Sequence, residues 1–455
     1  PPTPQPQHQT MATKDKIVAA VDIGTTKIVS LVGRLSEQGK LEVLGISQTP
    51  SKGVKRGVVL NIEETVNAIQ TTSSEAIEQS GIKFNEVFVG IAGQHIKSVK
   101  NRGYINRDSY DDEITREDLQ NLIDDMHKIP VDVGEEILHV LPQSYIVDNE
   151  TGVKNPVGMF GKRLEANFHI VIGQISSARN IEKCINRVGL DVKQLVLEPL
   201  ASSAAVLTDD EKEAGVALVD IGGGTTDVAV YYDDVIRHTA VIPFGGNVIT
   251  RDIKEGCAIL QRQAESLKIQ FGSALGDLAQ EDKVVTIPGI SGREPKEISF
   301  RSLAFIIQSR MEEIIDAVSY ELENSGYMDK LSAGIVLTGG GSMLKHLNQL
   351  VKFKTGMDVR LGFPAEKLVA DTPDEINQPM FSTSVGLLLK GLEYYQEKKE
   401  DMKVQKPQEQ VEEEATGEAV EGENVNQGEG IKKPKILENL KNTLSEIFNE
   451  TDVKM

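Results

Sequence analysis

Tryptophan is absent from the 455-residue chain, and only two cysteines, Cys184 and Cys257, occur in it. Two thiols are too few to staple a chain of this size, and neither stands in a Cys/His cluster of zinc-ligand spacing. A disulfide-built or zinc-built scaffold is excluded, and a reducing compartment is the expectation. Long apolar runs are missing as well. The densest patch, residues 384–389, is about a third of the roughly 18 residues that a membrane-spanning helix needs, so no spanning segment is expected. Positive charge is in short supply: 49 Lys and Arg face 69 Asp and Glu, a net charge of −20. That balance opposes non-specific contact with phosphate backbones, and no nucleic-acid partner is expected. There is no G-x-x-x-x-G-K-[ST] loop and no G-x-G-x-x-G opening a strand–helix unit, which disfavours the commonest nucleotide-binding folds. The first ten residues, PPTPQPQHQT, lack the basic and apolar regions of a secretory signal. Residues 1–13 read as a disordered leader, with the folded part opening at residue 14.

What is present is a folding chain. Apolar residues make up 39% and are spread over most of the length, in β-branched runs that alternate with helical periodicity, the mixture of a layered α/β architecture. The composition changes at about residue 396. Residues 396–430 hold eleven Asp or Glu against four Lys and almost no large apolar side chain, too little to offset the entropy of ordering, and read as a solvated, disordered acidic linker. Beyond it, Ile436, Leu437, Leu440, Leu444, Ile447 and Phe448 recur at near-helical spacing with Pro434 just before them, a short amphipathic helix on a tether.

The most informative feature is a weak internal repeat. IVAAVDIGTTKIVSLVG (residues 17–33) and GVALVDIGGGTTDVAVYY (residues 215–232) share the order strand, Asp-Ile-Gly, Gly/Thr turn, strand. Each copy ends a strand on an Asp and follows it with Gly and Thr where the chain turns tightly and presents backbone N–H groups. Two such hairpins facing each other would enclose a polyanion. A third glycine site, GIVLTGGGSMLKHL (residues 334–347), reads as a strand, three glycines and a helix opening at Ser342 or Met343, whose positive dipole end would lie beside a ligand.

Asp22 and Asp220 are placed to meet a Mg²⁺ ion, which keeps most of its waters and touches protein through one or two carboxylates; the alternative is that each caps its own turn. Thr25, Thr26, Thr225 and Thr226 either donate hydroxyls to phosphate oxygens or serve as strand residues. Lys27 either reaches a phosphate or flanks the strand in solvent. The glycines Gly24, Gly222, Gly223, Gly224, Gly339, Gly340 and Gly341, with Ser342, complete the candidate phosphate and nucleotide loops.

VDIGTTK (21–27), LEPLASSAAVL (197–207), LVDIGGGTTDV (218–228), TGGGSML (338–344) and FSTSVGLLL (381–389) resemble, in order, the five sequence blocks of the actin/Hsp70/sugar-kinase superfamily. VGIAGQHIKSV (89–99), GMFGKRLEANFH (158–169) and PFGGNVITRDI (243–253), with the tethered helix, are most similar to its FtsA branch, the actin-like bacterial division proteins. The resemblance implies a two-lobed actin-like ATPase fold with a duplicated core. It implies a first-lobe core at 14–93 and 173–205 around an FtsA-type extra subdomain at 94–172. A second-lobe core follows at 206–250 and 330–373 around an insertion at 251–329, then a return helix at 374–395, the acidic linker at 396–430 and a membrane-targeting helix at 431–455. Within the subdomain, Thr115 and Asp118 form a capping-box-like helix start, and Leu119, Leu122, Ile123 and Met126 supply an apolar stripe that reads as core.

Roles carry over residue by residue as what the resemblance implies. Glu198 stands at the position associated with orienting an attacking water, or else is a helix-start carboxylate; Asp220 shares the catalytic role. Glu265 and Lys268 match the pair that contacts ribose and adenine, or else form an ordinary exposed helix face; Gly246 lies near them. The implied cofactors are ATP and Mg²⁺, with weak ATPase activity. The implied partners are the C-terminal peptide of the tubulin-like FtsZ, further copies of the chain in filaments, other division proteins, and lipid at the cytoplasmic face of the bacterial inner membrane. A pilus-assembly-type actin-like ATPase is the alternative. A sugar-kinase-like phosphotransferase fits less well, since no second polar cluster suits a substrate hydroxyl.

Overall fold

Strand β1 (Ile17–Ile23) is apolar at nearly every position instead of alternating, the pattern of a strand covered on both faces, and all but its first residue are buried. It is followed by β2 (Lys27–Leu35), β3 (Leu41–Pro50), the short ribbon β4 (Val54–Lys55) and β5 (Val58–Val59), helix α1 (Ile62–Ser80) and β6 (Glu86–Ile91). Next come β7 (Lys97–Asn106), α2 (Arg116–Met126), β8 (Glu135–Val147), β9 (Glu150–Val153) and β10 (Arg163–Gln174), then α3 (Ile175–Arg187), β11 (Asp191–Leu197), α4 (Glu198–Val206) and α5 (Asp209–Ala214). The second half holds β12 (Val216–Ile221), β13 (Thr226–Tyr232), β14 (Val235–Ile242), α6 (Gly246–Cys257), α7 (Gln261–Phe271), β15 (Val284–Ile287), β16 (Lys296–Ser299) and α8 (Phe300–Ser325). The last elements are β17 (Ile335–Thr338), α9 (Leu347–Thr355), β18 (Val359–Leu361) and α10 (Ser382–Val404). The computed structural model describes residues 16–280, 282–289 and 293–404. The leader expected at 1–13, most of the expected acidic linker and the terminal helix lie outside the described residues. The chain divides into two units, Pro1–Lys398 and Lys399–Met455, and the fold is that of the first.

Two five-stranded sheets repeat one plan, which makes the duplicated core explicit. The first runs β3-β2-β1-β6-β11 and the second β14-β13-β12-β17-β18. In both, the first three strands in sequence form an antiparallel meander and the last two join in parallel. Side-chain alternation sorts each central strand between two cores. Ala19 and Val21 face a cluster with Ile69 of α1 and Ile185 of α3, while Val18 and Ala20 face the opposite way. Likewise Val219 and Ile221 face α6 and α8, while Val216 and Leu218 face the cluster shared with Val18. That shared cluster is built around α4 and α10, including Leu200, Val385 and Leu388. The two helices cross so closely that a Cβ on Gly386 would overlap the carbonyl of Ala201.

The parallel connection from β17 to β18 is the single helix α9; the corresponding connection from β6 to β11 contains a whole additional sheet, β7-β10-β8-β9, and α2 before α3. Thr115 caps α2 through a reciprocal box with Asp118, and Leu122 and Met126 are buried against the sheet. The apolar stripe of α8, from Ile307 to Leu322, is buried core.

Two local expectations are corrected. The glycine triplet does not open an α-helix at Ser342 or Met343: it forms a 3-10 turn, Gly340–Met343, and α9 starts only at Leu347. The left-handed backbone of Gly339 (φ 82°) and His346 (φ 63°) redirects the chain twice before a helix can propagate. At the other end, α10 continues past residue 395 to Val404, since the Glu- and Lys-rich residues 396–404 are good helix formers once a packed helix has been nucleated.

Candidate functional site

A cleft of about 400 Å³ opens between the two sheets. Its walls are the β1–β2 turn, the β12–β13 turn, the loop after β17 and the starts of α4 and α6, with α7 along one side. The two turns face each other at close range. A Cβ on Gly223 would collide with Thr26, and one on Gly224 with Thr25, so only glycine lets the loops approach this closely. The third loop is equally tight: Gly339 combines a left-handed backbone with a position where a Cβ would overlap the Asp220 carboxylate.

Strand alternation explains where the carboxylates point. Asp22 is in phase with Val18 and Ala20, and Asp220 with Val216 and Leu218, so both turn toward α4 and α10. Ser384 donates to Asp22 Oδ2 at 2.6 Å, while Ser202, at 2.6 Å, and Thr383, at 3.1 Å, donate to Asp220 Oδ2. Burial raises both carboxyls above their ordinary range, and these hydroxyls oppose the shift. Glu198, the first residue of α4, also faces the cleft, and burial together with Asp22, Asp227 and Asp220 raises it well above the usual carboxylate value. Glu198 therefore both starts the helix and lines the cleft.

Asp227 was not singled out from the sequence. It pairs directly with Asp220 across β12 and β13, lines the cleft and accepts from Thr225 Oγ1 at 3.1 Å, while its Oδ1 is buried without a hydrogen-bond partner. Burial, with Asp220 beside it, holds its carboxyl well above the ordinary range. The signal that could have revealed it is the spacing: two Asp residues flanking a GGGTT turn fall opposite each other in a hairpin.

Lys27 carries the opposite charge into the same space. Its Nζ is buried without a hydrogen-bond partner, 3.4 Å from the centroid of the Phe381 ring, and burial lowers its pKa to about 8 despite Asp22 nearby. At the other end, Lys268 donates to the Gly246 carbonyl at 3.0 Å and to Thr250 Oγ1 at 2.8 Å and pairs with Glu265 at 2.8 Å. Both residues line the cleft.

Of the remaining expected residues, Gly24, Thr25, Thr26, Gly222, Gly223, Gly224, Thr225, Gly246, Gly339, Gly340 and Gly341 all line the cleft. Thr226 and Ser342 do not. Thr226 donates to the Phe244 carbonyl at 2.8 Å and Ser342 to the Gly339 carbonyl at 2.7 Å, so both hydroxyls brace loops from behind. Ile269 and Met343, both exposed, supply apolar walls near Lys268 that sequence reasoning did not find.

The arrangement suits one class of ligand. A polyanion would give the buried Lys27 ammonium the hydrogen-bond acceptor it lacks, and a divalent cation travelling with it would relieve the four carboxylates that line the cleft, including the orphaned Asp227 oxygen. Among the described residues no three His, Cys, Asp or Glu are close enough together to hold a metal outright. That geometry fits Mg²⁺ held by phosphate and water with a carboxylate or two behind. Among the same residues no helix is long and apolar enough to cross a membrane.

Comparison with known proteins gives consistent results. A family model described as "Cell division protein FtsA" matches residues 217–386, and one described as "SHS2 domain inserted in FTSA" matches residues 93–172. The cell division protein FtsA of Pseudomonas aeruginosa is 43% identical over 83% of this chain and 90% of its own length. That of Escherichia coli K12 is 36% identical over 84% and 92%. Among solved structures, a PilM–PilN type IV pilus biogenesis complex superposes with a TM-score of 0.57 at 13% identity, covering 82% of this chain and 98% of that one. MreB 5 of Spiroplasma citri bound to AMPPNP reaches 0.50 at 14% identity, covering 85% and 99%. At such identities the structural likeness concerns the actin-like fold alone.

Proposed function

The chain belongs to the FtsA family of actin-like cell division proteins, and from that premise we propose that it binds MgATP in the interlobe cleft, self-assembles, and tethers FtsZ to the cytoplasmic face of the inner membrane at the division site. The observation that carries the nucleotide part is the buried, unpartnered Lys27 ammonium enclosed by two facing Asp-Gly turns. Lys27 and the glycine N–H groups hold phosphate oxygens, and Asp22 and Asp220 hold the cation through water. Ile269, Met343 and the Glu265–Lys268 pair take the base and ribose. Bound MgATP supplies an electrophilic γ-phosphoryl group. Glu198, with Asp220, orients a water toward it, and the burial and neighbouring carboxylates that raise the Glu198 carboxyl above its ordinary range favour its taking up a proton.

Slow turnover fits this assignment, because a filled cleft also braces the two lobes in one relative position that filament contacts can select. The FtsZ tail peptide docks on the second-lobe insertion between residues 251 and 326, and the segment 431–455, whose sequence has the spacing of an amphipathic helix, reaches lipid. Calorimetry tests the nucleotide assignment: Asp220→Ala should lose most MgATP affinity with apo stability unchanged or raised, and wild-type affinity in that variant would overturn it. Pull-down of FtsZ separates the proposal from the pilus-assembly alternative.

A further inference from the structure

Glu198 owes its position to the backbone that precedes it. Its side chain passes over Gly90 of β6, where a Cβ would lie 3.2 Å from Glu198 Cγ, so the strand beneath offers room but no grip. The residue before it, Leu197, ends β11 opposite Ile91 and is fully buried. As the N-cap of α4, Leu197 has an apolar side chain that makes no capping bond to the first turn, and Pro199 in that turn has no N–H of its own. The Leu197 N–H is nevertheless satisfied: it donates at 3.0 Å to Nε2 of His139. His139 belongs to the additional sheet, on β8 opposite Val171 of β10, and is itself buried.

We infer that His139 is a positioning residue, through which the inserted subdomain sets the start of α4 and thereby the direction in which Glu198 enters the cleft. The inference rests on the proposed role of Glu198. It follows from three facts of placement: the bond joins an inserted strand to the last residue before Glu198, the donor is a buried backbone N–H, and the side chain of the N-cap residue itself makes no capping bond. Nε2 must be unprotonated to accept. Burial lowers the His139 pKa to about 4, so the acceptor persists across the physiological range. Lys27, on β2, lies outside this contact, so a displaced helix start redirects Glu198 before it disturbs phosphate binding.

The test compares wild type, His139→Ala, His139→Gln and Glu198→Gln in the intact chain. Hydrogen exchange reads the Leu197 amide, calorimetry the MgATP affinity, and single-turnover assays the hydrolysis of bound ATP. In His139→Ala the Leu197 amide should exchange faster and turnover should fall about tenfold while affinity stays within about twofold, because a lost hydrogen bond of this kind is worth about a factor of ten. His139→Gln, which offers an acceptor oxygen, should recover most of the turnover. Wild-type turnover in His139→Ala beside a slowed Glu198→Gln would overturn the inference alone. Equal loss of affinity and turnover without rescue by Gln would reduce His139 to packing and overturn it too. Wild-type turnover in Glu198→Gln would overturn both the role of Glu198 and the inference built on it.

Discussion

Ser384 donates to the Asp22 carboxylate at 2.6 Å across 362 positions of sequence, and Ser202 does the same to Asp220 at the same distance. The two bonds are exchanged between lobes. Helix α4 leaves the first sheet after β11 and holds the Asp of the second; α10 follows the last strand of the second sheet and holds the Asp of the first. Any rotation of one lobe against the other therefore bears on both carboxylates at once.

Removing either hydroxyl should act on the charged carboxylate more than on the fold. Hydrogen bonds to charged groups contribute about 1.5–3 kcal/mol, and part of that is lost from the cation-binding form. Ser384→Ala and Ser202→Ala should each weaken MgATP binding by about tenfold, measured by calorimetry, while nucleotide without Mg²⁺ binds as in wild type. Unchanged MgATP affinity in both variants would separate these bonds from cation binding.

Lys27 makes the opposite trade. Its folded-state pKa of about 8 lies below the ordinary lysine value of 10.5, so the buried ammonium costs stability below pH 8, and the cost is withdrawn as the pH rises toward 10.5. Lys27→Met should make the nucleotide-free protein more stable by about 1–3 kcal/mol at pH 7, with the gain shrinking by pH 10. The same variant should bind ATP about ten- to a hundredfold more weakly, since a charge-assisted phosphate contact is gone. Denaturant titrations at the two pH values, with calorimetry, check both arms.

Asp227 supplies a second pH signature. A carboxyl whose folded-state pKa is raised leaves stability intact below its unfolded value near pH 4 and erodes it as the pH climbs through the folded value. Asp227→Asn keeps an acceptor for Thr225 and removes the charge. The variant should gain about 1–3 kcal/mol over wild type at pH 8 and little at pH 4, in the absence of nucleotide. A pH-independent difference in melting would mean that Asp227 carries no charge cost in the empty cleft.

The parts of this site legible in the sequence were those that repeat. VDIGTT and VDIGGGTT announce two strand–turn–strand units with an Asp at a fixed place, because tight turns demand glycine wherever they occur. Less legible was everything that depends on which elements meet. Ser202 and Ser384 lie in helix blocks whose composition gives no hint that a hydroxyl faces an Asp on a distant strand. Thr226 resembles its neighbour Thr225 in sequence yet points away from the cleft, because adjacent strand residues face opposite sides. His139 sits in an inserted sheet, and only the three-dimensional placement of β8 beside β11 connects it to Glu198. The helix expected directly after Gly341 failed on backbone geometry, since left-handed backbone at a non-glycine residue such as His346 is uncommon and its residue type alone does not announce it.

The terminal segment gives the last prediction. Its six apolar residues, Ile436, Leu437, Leu440, Leu444, Ile447 and Phe448, fall on one face if residues 435–449 are helical. At about 25 cal/mol per Å² of buried surface, less the cost of ordering, one such helix gives only marginal bilayer affinity. Lys432, Lys433, Lys435 and Lys441 add attraction to anionic lipid, while Glu438, Glu446 and the acidic residues before them oppose it. Binding should therefore depend on several copies inserting together, so that each later insertion is intramolecular within an assembly. Vesicle flotation of the intact chain should be strong only under conditions that also give assemblies by light scattering. Leu440→Glu and Phe448→Glu should abolish flotation with MgATP affinity unchanged, because every residue proposed to hold nucleotide falls within residues 22–343. A truncation after Gly430 that floated as well as the intact chain would defeat the tether and leave lipid contact to another surface.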